Sequence, residues 1–196
     1  MTHRKAEVER TTKETTIRLS LDLDGSGDSE INTGIGFLDH MLSAMARHGL
    51  VDLKVEAKGD LEVDPHHTVE DIGIVLGTAI AKALGDKISL SRYGSAIVPM
   101  DEALVLTAID LSGRGILCYD VEIVQEKIGA LDTVLFSEFF ESVARNSGMT
   151  LHIRKLAGED PHHTAEAVFK SFAKALEAAT RINDRIKGVP STKGVL

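Results

Sequence analysis

The sequence predicts an α+β fold made by internal duplication of a β-β-β-α-β-α unit, with two sheets that each carry helices on one face. Three observations predict it. Asp64-Pro65-His66-His67-Thr68-Val69-Glu70 returns half a chain later as Asp160-Pro161-His162-His163-Thr164-Ala165-Glu166, with six of the seven residues unchanged. The flanks return too: Gly49-Leu50-Val51-Asp52-Leu53-Lys54-Val55 parallels Gly148-Met149-Thr150-Leu151-His152-Ile153-Arg154. A helical pattern precedes each flank, from Phe37 to Arg47 and from Val134 to Arg145. A repeat unit near half of 196 residues means two fused copies; a solenoid needs at least ~3 shorter units.

The elements follow from apolar periodicity. In the first half, alternation predicts strands at Thr15–Leu23 and Glu30–Thr33, with a short earlier strand around Ala6–Arg10. Apolar recurrence at i, i+3, i+4 predicts a helix from Gly36 to His48. A strand at Val51–Ala57 and a helix from Pro65 to Leu84 close the unit. The second half repeats the order: strands at Ser95–Pro99, Ala103–Leu111 and Ile116–Ile123, a helix near Thr133–Asn146, a strand at Thr150–Arg154 and a helix from Pro161 to Arg181. The joint falls near Lys87–Arg92. The organisation expected is one compact unit: a first repeat over 1–89, a second over 90–188, and a tail over 189–196. The tail holds turn residues without periodicity, so on composition alone it should fray.

An apolar fraction of 43% suffices for a proper core, and with only 4% aromatic residues, aliphatic and alanine side chains should fill it. A net charge of −8 argues against nucleic acid as the main partner. The single cysteine, Cys118, excludes an intrachain disulfide framework and reads as a strand residue. The polar start, Met1-Thr2-His3-Arg4-Lys5, lacks a hydrophobic signal region, and no apolar run approaches the ~20 residues of a membrane span. These features suggest a cytoplasmic enzyme.

The repeated motif is the candidate site. Asp64 and Asp160 suit a helix N-cap, and Pro65 and Pro161 the first helical position. The histidines then fall in the first turn, where the helix dipole should keep imidazole neutral and able to ligate. His66 and Glu70 share a helical face, as do His162 and Glu166, whereas His67 and His163 point roughly 100° away. Each helix should therefore serve two different ions, with the other copy supplying the reciprocal ligands. Nitrogen and carboxylate donors without thiolate suit manganese, iron, zinc or nickel. His40 and His48 lie on one side of the preceding helix, with Asp39 placed to orient His40.

Several further runs carry a resemblance. Phe37-Leu38-Asp39-His40-Met41-Leu42, the Asp64-to-Asp71 run, Pro99-Met100-Asp101-Glu102-Ala103, Leu111-Ser112-Gly113-Arg114 and the terminal Ser191-x-Lys193-Gly194-Val195-Leu196 resemble the imidazoleglycerol-phosphate dehydratase family in its monofunctional form. The resemblance covers essentially the whole chain in order. It implies a ribosomal protein S5 domain 2-like fold in duplicate and the dehydration of D-erythro-imidazoleglycerol phosphate to imidazole acetol phosphate in histidine biosynthesis. It also implies a 24-mer with two divalent ions, foremost Mn2+, at each active site between protomers.

Carried over by motif, one ion would take His40, His67, His162 and Glu166. The other would take His66, Glu70 and His163. The family places a histidine ahead of the paired phenylalanines as the remaining ligand; here Glu138 stands there, and is expected to ligate instead. Glu14 matches the acid/base carboxylate. Substrate contacts fall on Glu14, His40, His48, Arg92, Arg114, Lys170, Ser191 and Lys193, the basic ones gripping phosphate. A dinuclear metallohydrolase and a metal-storing cage share part of this inventory. Dehydration without phosphoester hydrolysis separates the first, and dispensability of Glu14 and the Ser-x-Lys tail the second.

Overall fold

The computed structural model describes residues 3–196; Met1 and Thr2, the start of the polar N-terminal run, lie outside the described residues. The first half contains β1 (Lys5–Thr11), β2 (Thr15–Asp22), β3 (Ser29–Asn32), α1 (Gly36–Gly49), β4 (Asp52–Gly59) and α2 (His66–Leu84). The second contains β5 (Tyr93–Met100), β6 (Ala103–Asp110), β7 (Ile116–Asp120), the short β8 (Lys127–Ile128) and β9 (Leu131–Asp132), α3 (Leu135–Ser147), β10 (Thr150–Ala157) and α4 (Pro161–Thr180).

The two main sheets have the same plan. Their orders are β1-β2-β4-β3 and β5-β6-β10-β7, with β3 and β7 each parallel to its neighbour and the other pairs antiparallel. Each sheet takes its strands from one half. The strand expected over Ile116–Ile123 ends at Asp120, and a two-residue ladder of β8 with β9 follows, which alternation did not suggest.

Alternation puts one face of each sheet inside. In β6, Ala103, Val105, Thr107 and Ile109 are buried while Leu104, Leu106 and Ala108 face outward. The outer faces differ in chemistry. That of the first sheet is charged, with Lys54 paired to Glu30 at 2.7 Å and Arg18 to Glu9 at 3.4 Å. That of the second is apolar on its β5–β6 side, where Ile97, itself 57% exposed, opposes Leu106.

Helices of the two halves face each other: α2 packs on α3 and α1 on α4, so the core is helix on helix between the sheets. Glycine permits the α2–α3 contact. A Cβ on Gly73 would stand 2.7 Å from the Phe139 carbonyl oxygen, and one on Gly77 2.7 Å from that of Val143. Aliphatic and alanine side chains fill most of the core, as composition suggested, and the phenylalanines are gathered in one part of it. Five of the six phenylalanines (Phe136, Phe139, Phe140, Phe169 and Phe172) cluster between α3 and α4, with ring centroids 5.0–6.1 Å apart. Few aromatics suffice because they are concentrated in one place.

The tail does not fray. Ser89 donates its backbone N–H to Gly188 and its hydroxyl to Ile186, while Leu90 bridges Ile182. Arg92 reaches the Pro190 carbonyl at 2.8 Å, and the terminal Leu196 lies against Gly113. The linker between halves is the surface that binds the tail, which periodicity does not reveal. No helix among the described residues is long and apolar enough to cross a membrane.

Candidate metal and substrate site

The two motif helices start differently. Asp160 is the N-cap of α4, accepting the His163 N–H at 2.9 Å, with Pro161 in the first turn. In α2 the cap is Pro65 and Asp64 sits outside it, taking the His66 N–H at 2.7 Å. The expectation of Asp64 as N-cap is corrected by one residue.

One of the candidate ligand sets closes within the chain. Nε2 of His40, from α1, and Nε2 of His162, from α4, each lie 3.3 Å from the same Glu166 oxygen, Oε2. Donor atoms of the three all fall within 4.8 Å of one another, the only such group of three among the described residues. The i, i+4 spacing brings His162 and Glu166 together, and the α1–α4 packing brings His40. Phe37 walls the group, its ring 5.2 Å from that of His162. Glu166 is nearly buried, and its other oxygen holds the Lys170 ammonium at 2.5 Å. Burial pushes its carboxyl up, but hydrogen bonds from Lys170 and His40 outweigh this and hold it below the usual range. His48 lies close enough to feel Lys170. Burial first, then that charge, holds its imidazole below the ordinary value. Asp39 does not orient His40: its Oδ1 accepts the Thr33 N–H at 2.9 Å and the Thr33 hydroxyl, tying down the start of α1.

His67 and His163 lie outside this cluster, as their rotation around the helix requires. Each meets a carboxylate at Nδ1: His67 meets Asp60 at 3.0 Å and His163 meets Glu102 at 2.8 Å. Asp101 approaches Nε2 of His163 at 3.5 Å. These partners raise both imidazoles above the ordinary value, the hydrogen bond from Asp60 or Glu102 being the main cause. At these two histidines the carboxylate in contact acts against the helix dipole and outweighs partial charges spread over a turn. Glu102 is correspondingly lowered to about 2 by His163 and by the Asp160 N–H.

Glu14 sits in the β1–β2 turn, half exposed, with Oε2 4.0 Å from Nδ1 of His67. The turn is organised by Thr12, whose hydroxyl accepts the N–H groups of Glu14 at 3.1 Å and Thr15 at 3.0 Å. Beneath it, buried Asp71 of α2 accepts the Thr15 hydroxyl at 2.5 Å and Arg10 Nε at 2.8 Å. Sequence reasoning assigned no role to Asp60, Glu102 or Asp71. A signal existed for Asp71: it follows Glu70 where alanine, Ala167, follows Glu166.

His66, Glu70 and Glu138 do not join a closed cluster. α3 runs beside α2 with Phe139 against Gly73 and Val143 against Gly77, which puts Glu138 level with the Glu70 turn. Glu138 is half-buried.

The basic residues divide. Arg92 forks onto Asp110 at 2.7 and 3.2 Å, Arg114 reaches the same carboxylate at 3.3 Å, and the tail with Ser191 and Lys193 docks beside them. Lys170 is elsewhere, with Glu166. Arg92 donates its N–H to Ala179 at the far end of α4 from His162, roughly 26 Å away at 1.5 Å per residue.

Residues 33–176 match the family model described as imidazoleglycerol-phosphate dehydratase. The chain is 61% identical over 193 residues to the imidazoleglycerol-phosphate dehydratase of Acetivibrio thermocellus, covering 98% of this chain and 99% of that one. It is 58% identical over 193 residues to that of Moorella thermoacetica, covering 98% of each. The crystal structure of the Staphylococcus aureus enzyme superposes with a TM-score of 0.83 at 39% identity, covering 91% of this chain and 99% of that one. That of the Pyrococcus furiosus enzyme in complex with (S)-C348 gives 0.84 at 41% identity, covering 96% and 100%.

Proposed function

The chain belongs to the imidazoleglycerol-phosphate dehydratase family, hydro-lyases of histidine biosynthesis, and from that premise we propose that it dehydrates D-erythro-imidazoleglycerol phosphate using two divalent metal ions held between protomers. The observation that carries the reading is the convergence of His40, His162 and Glu166, one helix from each half, on a volume the size of an ion. Two imidazole nitrogens and a carboxylate oxygen suit a divalent ion of the hard-to-borderline kind, manganese first.

His67 would complete this set from a neighbouring protomer, because its own chain turns it toward Asp60 and Glu14 instead. The second set is His66, Glu70, His163 and Glu138. Two features support Glu138: it stands in α3 where His40 stands in α1, and α3 packs on α2 as α1 packs on α4. The bound ions would supply Lewis acidity at the imidazole nitrogens of the substrate. Glu14 would take the proton from the second carbon out from the ring as the hydroxyl on the carbon beside the ring leaves, the two departing together as water, and the enol left behind would tautomerise to the ketone. Lys170, His48 and Phe37 line the approach to the first set, while Arg92, Arg114, Ser191 and Lys193 would grip phosphate from another protomer.

That division supports assembly. Two groups of residues about 26 Å apart in one chain serve one small substrate only if different chains supply them. The apolar β5–β6 face offers a subunit contact, and a homo-oligomer of 24 protomers in the cytoplasm is the form we infer from the family.

The test is to strip metal with a chelator, assay dehydration, and add back single metals while following particle size by light scattering. Activity should vanish, the particle should shrink, and manganese should restore both. Full activity in metal-free protein overturns the reading.

A further inference from the structure

The duplicated motif histidines are held in unequal ways, and the inequality falls on the carboxylate assigned to proton transfer. Glu102 stands immediately before the first residue of β6, and Glu14 immediately before the first residue of β2. The two sheets share one strand order, so these glutamates are counterparts. Glu102 is fully committed: Oε2 meets His163 Nδ1 at 2.8 Å, and Oε1 accepts the N–H groups of Asp160 at 2.9 Å and Glu159 at 3.3 Å. Glu14 has no side-chain hydrogen bond among the described residues. Its nearest approach to His67 is 4.0 Å, beyond hydrogen-bond range. Asp60 occupies the place at His67 Nδ1 instead, at 3.0 Å.

The connections explain the exchange. The stretch from β4 to α2 is long enough for Asp60 to turn back onto His67. The stretch from β10 to α4 is shorter, and Glu102 both braces its N–H groups and holds the histidine. A carboxylate on one ring nitrogen fixes the tautomer, aims the other nitrogen and raises its basicity as a ligand.

We propose that Glu102 and Asp60 are positioning residues, each aiming Nε2 of one motif histidine at a different metal ion, and that Asp60 at His67 leaves the counterpart of Glu102, Glu14, free to move a proton. The proposal rests on the two-metal reading above. It assigns Glu102, through His163, to the ion of His66, Glu70 and Glu138. It assigns Asp60, through His67, to the ion of His40, His162 and Glu166.

The experiment is a titration of the assembled enzyme with Mn2+, following free Mn2+ by electron paramagnetic resonance, for the unaltered protein and for Glu102→Ala, Asp60→Ala and Glu14→Gln. The unaltered protein should show two sites per chain. Glu102→Ala should weaken one by roughly 10–100-fold, the usual cost of losing such a carboxylate, and Asp60→Ala the other. Glu14→Gln should bind both ions normally while losing turnover. If Glu102→Ala does not fold, Glu102→Gln serves, since its carbonyl still accepts the Glu159 and Asp160 N–H groups. It should weaken the same site by several-fold. Unaltered affinities with only a lowered melting temperature reduce Glu102 and Asp60 to structural braces and overturn the proposal. So does a Glu14→Gln variant that weakens metal as much as Glu102→Ala. A parent protein that binds no Mn2+ overturns the two-metal reading itself, a separate result.

Discussion

The Arg10–Thr15–Asp71 network exists in only one of two copies of the same fold, so the other copy supplies its replacement. The positions that match Arg10, Thr15 and Asp71 in strand register and helix turn are Val98, Ala103 and Ala167. Asp71→Ala alone would leave the hydroxyl of buried Thr15 only its longer contact with the Thr12 hydroxyl, at 3.2 Å, and would leave one face of Arg10 without a partner. An abandoned buried hydroxyl costs about 1–3 kcal/mol, and a lost charged hydrogen bond about 1.5–3. Arg10 is 40% exposed and can turn to water, and Thr15 keeps Thr12, so the lower figures apply and about 2.5 kcal/mol is expected in total. For a chain of this length that is a fall in Tm of about 5–10 °C. The triple variant Arg10→Val, Thr15→Ala, Asp71→Ala replaces the whole network with the apolar set that the second half already packs. It should lie within about 1 kcal/mol of the parent. Turnover should stay low in both variants, because the turn that presents Glu14 has lost its support. The assay is thermal unfolding followed by circular dichroism, at matched protein concentration and in excess chelator so that metal does not mask the difference. A triple variant as unstable as Asp71→Ala, or a harmless Asp71→Ala, would refute the reasoning.

Four further outcomes are expected. Glu14→Gln should lower kcat by roughly 100-fold or more with little change in KM, since the amide keeps the shape and cannot exchange a proton; steady-state kinetics read this directly. Truncation after Val189 removes the Pro190 carbonyl from Arg92 together with Ser191 and Lys193, and should raise KM sharply while metal content and particle size stay constant. Mn2+ uptake should weaken as pH falls through the raised values of His67 and His163, by about tenfold per pH unit for each proton the metal displaces. In the metal-free protein the sign reverses. The His163–Glu102 contact is complete below the unfolded histidine value and lost as pH rises through the raised folded value; on the acid side it is lost as pH falls toward about 2, where Glu102 protonates. Glu138→His should keep two metals per chain and shift the second site toward zinc in competition with manganese; loss of that metal would count against Glu138 as a ligand.

What the sequence disclosed and what it withheld have different physical origins. Apolar period and repetition are local, so the order of elements was legible. The shared face of His162 and Glu166 was legible because four residues make about one turn. The partners of His67 and His163 were not, because Asp60 and Glu102 reach them from a loop and a turn whose course depends on connection length. Asp39 was misread for the complementary reason. A carboxylate in the first turn of a helix has backbone N–H groups and Thr33 nearer than the ring beside it. The docked tail was invisible because its partner surface is the linker between repeats, where Arg92 reaches a backbone carbonyl that no apolar period marks.

The pairing of α1 with α4 and of α2 with α3 has a historical consequence. Neither half contains the whole candidate group: His40 belongs to one and His162 with Glu166 to the other. A single ancestral unit using the same residues would have had to associate with a second copy through these same helices, and the symmetry of that pair would have made its two groups identical. Joining the copies in one chain removed that constraint. Each position could then change once instead of twice, which is how position 138 can hold a glutamate where its counterpart, position 40, holds a histidine, and how one turn glutamate can brace a loop while its twin stays free.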